Sequence, residues 1–279
     1  ILMGSLIGDA TKAQISQATP ALFIALAIFA IAFVVLLISR IPEPAAEAEA
    51  AAAKSDKKDP HSAFSFRHFK LGILAIFLYL GVEVGTPTYI LQYLTSTADA
   101  ATPGFGMDAG IAATLVAMYW LLMLVGRLLG GIIAGKVSSK ALLTGVSVAT
   151  LVLVLVGMFA PTDTLVTAFG FEGSTGRFVT CEVPVGIFAL VLVGLCTSVM
   201  WGAIFNLAVE GLGKYTAIAS GAFMTMVCGG GILVPLQGWI ADLSGSFLTS
   251  YIVVVVCAAY LLFYALAGSK NVNKDIKTE

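Results

Sequence analysis

The sequence contains little charge. Only 11% of its 279 residues are Asp, Glu, Lys or Arg, whereas soluble domains contain about 25%. The net charge is −1, so no nucleic acid or other strongly charged partner is indicated. Hydrophobic residues make up 59% of the chain, and the mean hydropathy is +0.99. This composition excludes an ordinary soluble domain and indicates a membrane protein.

Groups that could form a metal or catalytic centre are also scarce. The two histidines, His61 and His68, lie in a polar segment, and the four cysteines lack the spacing of a metal site. The Gly-rich stretches follow no predicted strand, which argues against a phosphate-binding loop. We therefore expect no metal site, no cofactor and no enzyme activity.

Long apolar runs dominate the chain. A transmembrane helix needs about 20 mostly apolar residues, and continuous rather than alternating runs favour helices over barrel strands. Seven segments qualify: 20–41, 71–94, 111–134, 141–160, 183–205, 220–240 and 248–267. The sequence therefore predicts an all-α membrane protein with seven transmembrane helices.

The positive residues predict the orientation of these helices. All but Lys12 and Arg177 of the 15 Lys and Arg residues fall on one side of the predicted arrangement. Because positive residues accumulate on the cytoplasmic side, the polar linker and the carboxyl terminus are predicted to be cytoplasmic.

The predicted organisation has five parts. Residues 1–19 are expected to be the end of a truncated span and an external loop, with a short interfacial segment as the alternative. A helix (20–41), a cytoplasmic linker (42–69), a six-helix bundle (70–268) and a cytoplasmic tail (269–279) follow.

Four stretches carry a family resemblance: YLGVEVGTPTYILQYL (79–94), VGRLLGGIIAGK (125–136), SVMWGAIFNLAVEGLG (198–213) and SGAFMTMVCGGGILVPLQGWIADLSG (220–245). With the matching hydropathy, they resemble the carboxyl-terminal half of a major facilitator superfamily transporter, preceded by its sixth helix and central loop. The similarity is greatest to the fucose/glucose–galactose proton symporter branch. It implies that the seven spans correspond to helices six to twelve of twelve.

The resemblance implies a function for the whole protein. That function is proton-coupled uptake of a monosaccharide such as fucose, glucose or galactose, by alternating access, across a bacterial inner membrane. The proton is the coupling ion, and the acids credited with coupling lie in the amino-terminal six-helix half, which we expect to be a missing partner. This chain would supply one wall of the sugar site and would contact membrane lipid.

Two other function classes stay open on the residues alone. A seven-helix receptor fits the number and direction of the spans, although residues 248–267 contain no lysine that could hold retinal. A non-transporting membrane scaffold is the other alternative.

Glu83 is the first candidate site residue. It lies thirteen residues after Lys70, about 20 Å along a helix, and therefore near the middle of a hydrocarbon core about 30 Å thick. An ionised acid at the centre of a membrane costs several kcal/mol. We expect Glu83 to line a cavity that contains water or substrate, with a structural acid between helices as the alternative.

Other polar and aromatic residues could complete a sugar site, because sugars need hydrogen-bonding groups and a flat apolar surface. The predicted substrate-binding set is Glu83, Thr86, Tyr89, Gln92, Trp201 and Asn206.

Two further features are predicted to be structural or to act in gating. Arg127 and Glu210 both lie toward the cytoplasmic ends of their spans, and we expect them to form an ion pair that latches the inner side, because an intramembrane Arg needs a partner. The stretch CGGGILVP (228–235) combines Gly229, Gly230 and Gly231 with Pro235, which predicts close packing and a loosened helix.

Overall fold

The computed structural model describes residues 19–39, 61–133, 135–172, 175–273, 275–276 and 278. Six of its helices are long and apolar enough to cross a membrane. The expectations for residues 1–18, and for the Ala/Glu-rich part of the linker, lie outside the described residues.

The elements follow the predicted spans closely. In order they are α1 (Thr19–Ile38), α2 (Arg67–Thr95), α3 (Ala109–Ile133), α4 (Ser139–Phe159), β1 (Leu165–Glu172), β2 (Arg177–Pro184), α5 (Val185–Val209), α6 (Thr216–Thr225), α7 (Gly229–Ser244), α8 (Phe247–Ser250) and α9 (Ile252–Phe263). The 3₁₀ turn Met226–Cys228 joins α6 and α7 into one span, and α8, α9 and the π-helical turn Tyr264–Gly268 form the last. The prediction of a helical membrane protein is confirmed.

Helix ends that were predicted to share a side of the membrane do meet in the structure. The Arg67 backbone amide, at the start of α2, donates to Asn273 Oδ1 at 3.0 Å. His68 Nε2 donates to the carbonyl oxygen of Glu210, after the end of α5, at 3.0 Å. At the opposite end, Thr102 Oγ1 donates to Asp242 Oδ1 at 3.3 Å. The chain therefore crosses the bundle once with each span.

Helix α2 lies at the centre of the bundle and contacts α5, α7, α9 and α3. Four tyrosines from its neighbours, all buried except the partly buried Tyr260, donate to its backbone carbonyls: Tyr119 to Glu83, Tyr251 to Thr86, Tyr260 to Leu71 and Tyr264 to His68. A tyrosine combines a large apolar ring with one hydrogen-bonding group, which suits it to a membrane interior.

The segment after α4, between two of the predicted spans, is a β-hairpin, and it adds two strands to the predicted all-α fold. β1 and β2 pair antiparallel over their whole length, from Leu165 opposite Pro184 to Glu172 opposite Arg177. Helix α5 starts at Val185, directly after β2. The strands are rich in Val, Thr and Phe, residue types that favour extended pairing.

Candidate functional site

The position of Glu83 depends on a proline one turn further along α2. Pro87 has no N–H, so the carbonyl four residues earlier, that of Glu83, loses its helical donor. The Tyr119 hydroxyl, on α3, donates to this carbonyl at 3.0 Å. A buried hydrogen bond from a neighbouring helix thus replaces the missing one and holds the Glu83 backbone in place.

A polar network supports Glu83 from inside the bundle. Tyr119 Oη also lies 3.2 Å from Thr197 Oγ1, and the Tyr79 hydroxyl donates to the Thr197 carbonyl at 3.2 Å. Tyr79, Tyr119 and Thr197 are fully buried. The Tyr79 hydroxyl also faces the Glu83 carboxylate. The network joins α2, α3 and α5 behind the acid.

On its open side, Glu83 forms an ion pair with Arg127. Arg127 Nη2 lies 3.4 Å from Glu83 Oε1, and the exposed fractions of the two side chains are 56% and 14%. Strong charge-assisted pairs have shorter distances, about 2.7–2.9 Å. This pair is therefore a single loose contact that solvent or a ligand can reach from the Arg127 side.

The predicted contact between Arg127 and Glu210 is not seen among the described residues, where Arg127 contacts Glu83 instead. Side chains of a helix lean toward its amino terminus. Helix α3 runs toward the predicted cytoplasmic face, so Arg127 extends back toward the middle of the bundle, where Glu83 lies. Glu210 follows the last residue of α5, further toward that face, and lines a different cavity there.

The ion pair lies in a cavity of ≈ 360 Å³, whose lining residues are Leu80, Glu83, Arg127, Ser198, Trp201, Gly202 and Val227. The Trp201 ring is held by stacking on Phe205, with ring centroids 5.7 Å apart, and by edge contact with Phe223 at 5.6 Å. The cavity therefore combines an acid, a cation, a hydroxyl and a fixed aromatic surface.

The structure brings only Glu83 and Trp201 of the predicted substrate-binding set into this cavity. Thr86 is buried, and its hydroxyl has no hydrogen-bond partner among the described residues. Tyr89 is buried against α7 and donates to the Val234 carbonyl at 2.8 Å. Gln92 is exposed outside the cavity lining.

Asn206 lines two other cavities, of ≈ 220 Å³ and ≈ 640 Å³, nearer the predicted cytoplasmic end.

Ser198 lines the cavity of the ion pair but is not in the predicted substrate-binding set. Its spacing of three before Trp201 places both on one helix face, which is the signal that would have found it.

The Gly-rich stretch begins at the end of a turn that lines the cavity. The chain changes from α6 to a 3₁₀ turn at Met226–Cys228, and Val227 of this turn lines the cavity. Gly229 packs directly against the backbone of Phe77, whereas a side chain at Gly231 would meet open space. Pro235 lies inside α7.

Comparisons with known proteins agree with this architecture. A family model described as Major Facilitator Superfamily matches residues 1–235. A glucose/galactose transporter of Brucella abortus is 31% identical over 268 residues, which cover 95% of this chain and 58% of the relative. The L-fucose-proton symporter of Escherichia coli is 24% identical over 205 residues, which cover 74% of this chain and 41% of that protein.

Solved structures show the same fold. A crystal structure of the major facilitator superfamily transporter FucP in the outward conformation superposes with a TM-score of 0.66 at 22% identity, over 91% of this chain and 55% of that chain. The chain thus spans little more than half the length of the proteins it matches. The family model covers most of its residues, and the chain belongs to the major facilitator superfamily.

Proposed function

We propose that the chain forms the carboxyl-terminal half, with the preceding helix and linker, of a proton-coupled monosaccharide transporter of a bacterial inner membrane. One observation carries the proposal: a reachable Glu–Arg pair and a fixed tryptophan share a cavity lined by α2, α3 and α5. Relatives named as glucose/galactose transporters and as an L-fucose-proton symporter support the substrate class.

Each group in the cavity has a role that fits a sugar. Glu83 accepts hydrogen bonds from sugar hydroxyls, and the Arg127 guanidinium donates to sugar oxygens. The Trp201 ring covers the C–H face of the pyranose. The volume of ≈ 360 Å³ is near the lower end of ligand sites, about 300–1,000 Å³, which suits a single sugar ring.

The loose ion pair suits alternating access. Without sugar, Arg127 and Glu83 compensate each other's charge, so the cavity does not hold an unpaired ion. A bound sugar donates hydrogen bonds to Glu83 and accepts them from Arg127, which offsets the loss of contact between the two side chains. The amino-terminal half closes the cavity from the other side, and it carries the acids that couple transport to protons.

The test is sugar affinity of the full-length protein measured by calorimetry with glucose, galactose and fucose. Glu83→Gln retains the shape of the side chain but removes a charged acceptor, which contributes about 1.5–3 kcal/mol per bond. We expect the affinity to fall about ten- to a hundredfold. Gln92→Ala, on the same helix outside the cavity, is the matched control and should bind normally. Unchanged affinity in a folded Glu83→Gln protein rejects this cavity as the sugar site.

A further inference from the structure

The β-hairpin has one partly buried face and one open face. Residues alternate between the two faces of a strand, and Ala168, Gly170 and Val183 on one face are buried. The opposite face carries Phe169 and Phe178, whose exposed fractions are 69% and 63%. Phe171 lies beside them, 5.5 Å from the Phe178 ring in an edge contact. We call the face containing these three phenylalanines the aromatic face.

The hairpin packs against the side of α3, within the first turns of that helix and not beyond its end. The Phe171 backbone amide donates to Thr114 Oγ1 at 3.0 Å, and Gly170 packs closely against Ile111. Thr114 is five residues into α3, about 7 Å along its axis. It also lies inside the apolar run 111–134. The hairpin therefore reaches the level of the membrane boundary and does not stand clear of it in water.

The attachment is on the side of α3 that faces away from the ion-pair cavity. Continuing from Ile111 and Thr114 at helical spacing, the same side carries exposed apolar residues at 118, 125, 129 and 132. Arg127 is two residues from both Val125 and Leu129, about 200° around the helix. Because Arg127 faces the cavity, this stripe faces away from the cavity, and we infer that it is the lipid-facing stripe of α3. The hairpin lies at its end.

We propose that the aromatic face of the hairpin binds the phospholipid bilayer at its boundary, so that Phe169 and Phe178 contact lipid. Lipid is the expected binding partner because this face continues the lipid-facing stripe of α3. Phe178 precedes Thr180 and Glu182 on the same face, so the face is amphipathic. Such a mixture suits the boundary between headgroups and acyl chains better than the hydrocarbon core.

This binding has a consequence for the site. The hairpin is tied to α3 through Thr114, and β2 continues directly into α5. These are the helices that carry Arg127 and Trp201. A lipid-bound hairpin therefore holds the ends of two cavity-lining helices at a fixed depth.

The experiment is photocrosslinking in the full-length protein, reconstituted in phosphatidylethanolamine–phosphatidylglycerol vesicles. Benzoylphenylalanine replaces Phe169 or Phe178 in separate variants, and irradiation is followed by mass spectrometry of the intact protein. We expect a mass increase of one phospholipid at both positions. Met118, on the lipid-facing stripe, is the positive control, and Asp99, in the loop after α2, is the negative control.

Two results would overturn the proposal. One is the absence of a lipid adduct at either Phe169 or Phe178 while Met118 gives one. The other is a crosslink from these positions to protein, either the other half of the transporter or a second copy, which would make the aromatic face a protein interface.

Discussion

Glu83 has two different environments on its two sides. Toward the bundle, its backbone carbonyl takes a hydrogen bond from Tyr119 because Pro87 cannot supply one. Toward the cavity, its carboxylate has a single 3.4 Å contact with Arg127. The backbone is thus fixed while the charged group stays available, which is the arrangement that a binding acid in a membrane requires.

A double-mutant cycle tests the partner of Glu83. We expect Arg127→Gln to destabilise the protein, because Glu83 loses the cation that compensates its charge. The double variant Glu83→Gln/Arg127→Gln should lose less stability than the sum of the losses of the two single variants. The coupling should be near the lower end of about 0.5–3 kcal/mol, since Arg127 is half exposed. Thermal unfolding in detergent measures it. Additive effects would contradict the pair, and Glu210→Gln should show no coupling to Arg127.

The role of Pro87 leads to a second prediction at the residue scale. Tyr119→Phe leaves the Glu83 carbonyl without a donor, and an unsatisfied buried group costs about 1–3 kcal/mol. Tyr251→Phe removes an equally buried hydroxyl from the Thr86 carbonyl, which keeps its donor within α2, so the cost should be smaller, about 0.5–1.5 kcal/mol. Equal losses of stability in the two variants would show that the proline creates no special requirement.

At the scale of elements, the helices are predicted from the sequence and the hairpin is not. Apolar length alone places each span to within a few residues, because a membrane requires that length. The segment 165–184 contains Val, Thr and Phe on both sides of the GSTG sequence, which is a hairpin signal, but a prediction from apolar length does not detect strands of 8 residues.

The ion pair could not be predicted from residue positions along the spans. Glu83 and Arg127 are on different helices, and their contact depends on the direction in which the arginine leans. Likewise, Thr86 and Tyr89 lie within one turn of Glu83 or just beyond, yet they are buried against other helices. Which face of α2 meets the cavity is decided by helix packing.

The glycines of α7 give a prediction with an internal control. A side chain added at Gly229 would collide with the backbone of Phe77 on α2, whereas at Gly231 it would meet open space. Gly229→Ala should therefore destabilise the protein by about 1–3 kcal/mol through overpacking, and Gly231→Ala should leave it unchanged or slightly more stable. Thermal unfolding of the two variants in the same detergent measures the difference. Similar stability of both would mean that α2 and α7 can separate at Gly229 without cost.

At the scale of the whole molecule, the cavity lies where several helices of the chain meet. The lining residues come from α2, α3, α5 and the turn before α7, and every described side chain of α1 is exposed. The relatives extend well beyond the matched region, since this chain covers 58% of the Brucella abortus transporter. In our proposal the remaining half closes the cavity, so transport belongs to the two halves together.

The orientation of the whole molecule is the last prediction. The loop after α2 lacks Lys and Arg, whereas Lys270 follows the last span and two further lysines follow it. Positive residues near span ends stay in the cytoplasm.

Thr97 and Lys270 are both exposed, so each can carry a single cysteine in the full-length protein after its native cysteines are replaced. A membrane-impermeant maleimide should label Thr97→Cys in intact cells and Lys270→Cys only after permeabilisation. Five spans lie between the two positions: α3, α4, α5, the span of α6 and α7, and the span of α8 and α9. Because five is an odd number, Thr97 and Lys270 must lie on opposite sides of the membrane. Labelling of both positions in intact cells would therefore contradict that count, and the reverse pattern would reject the orientation.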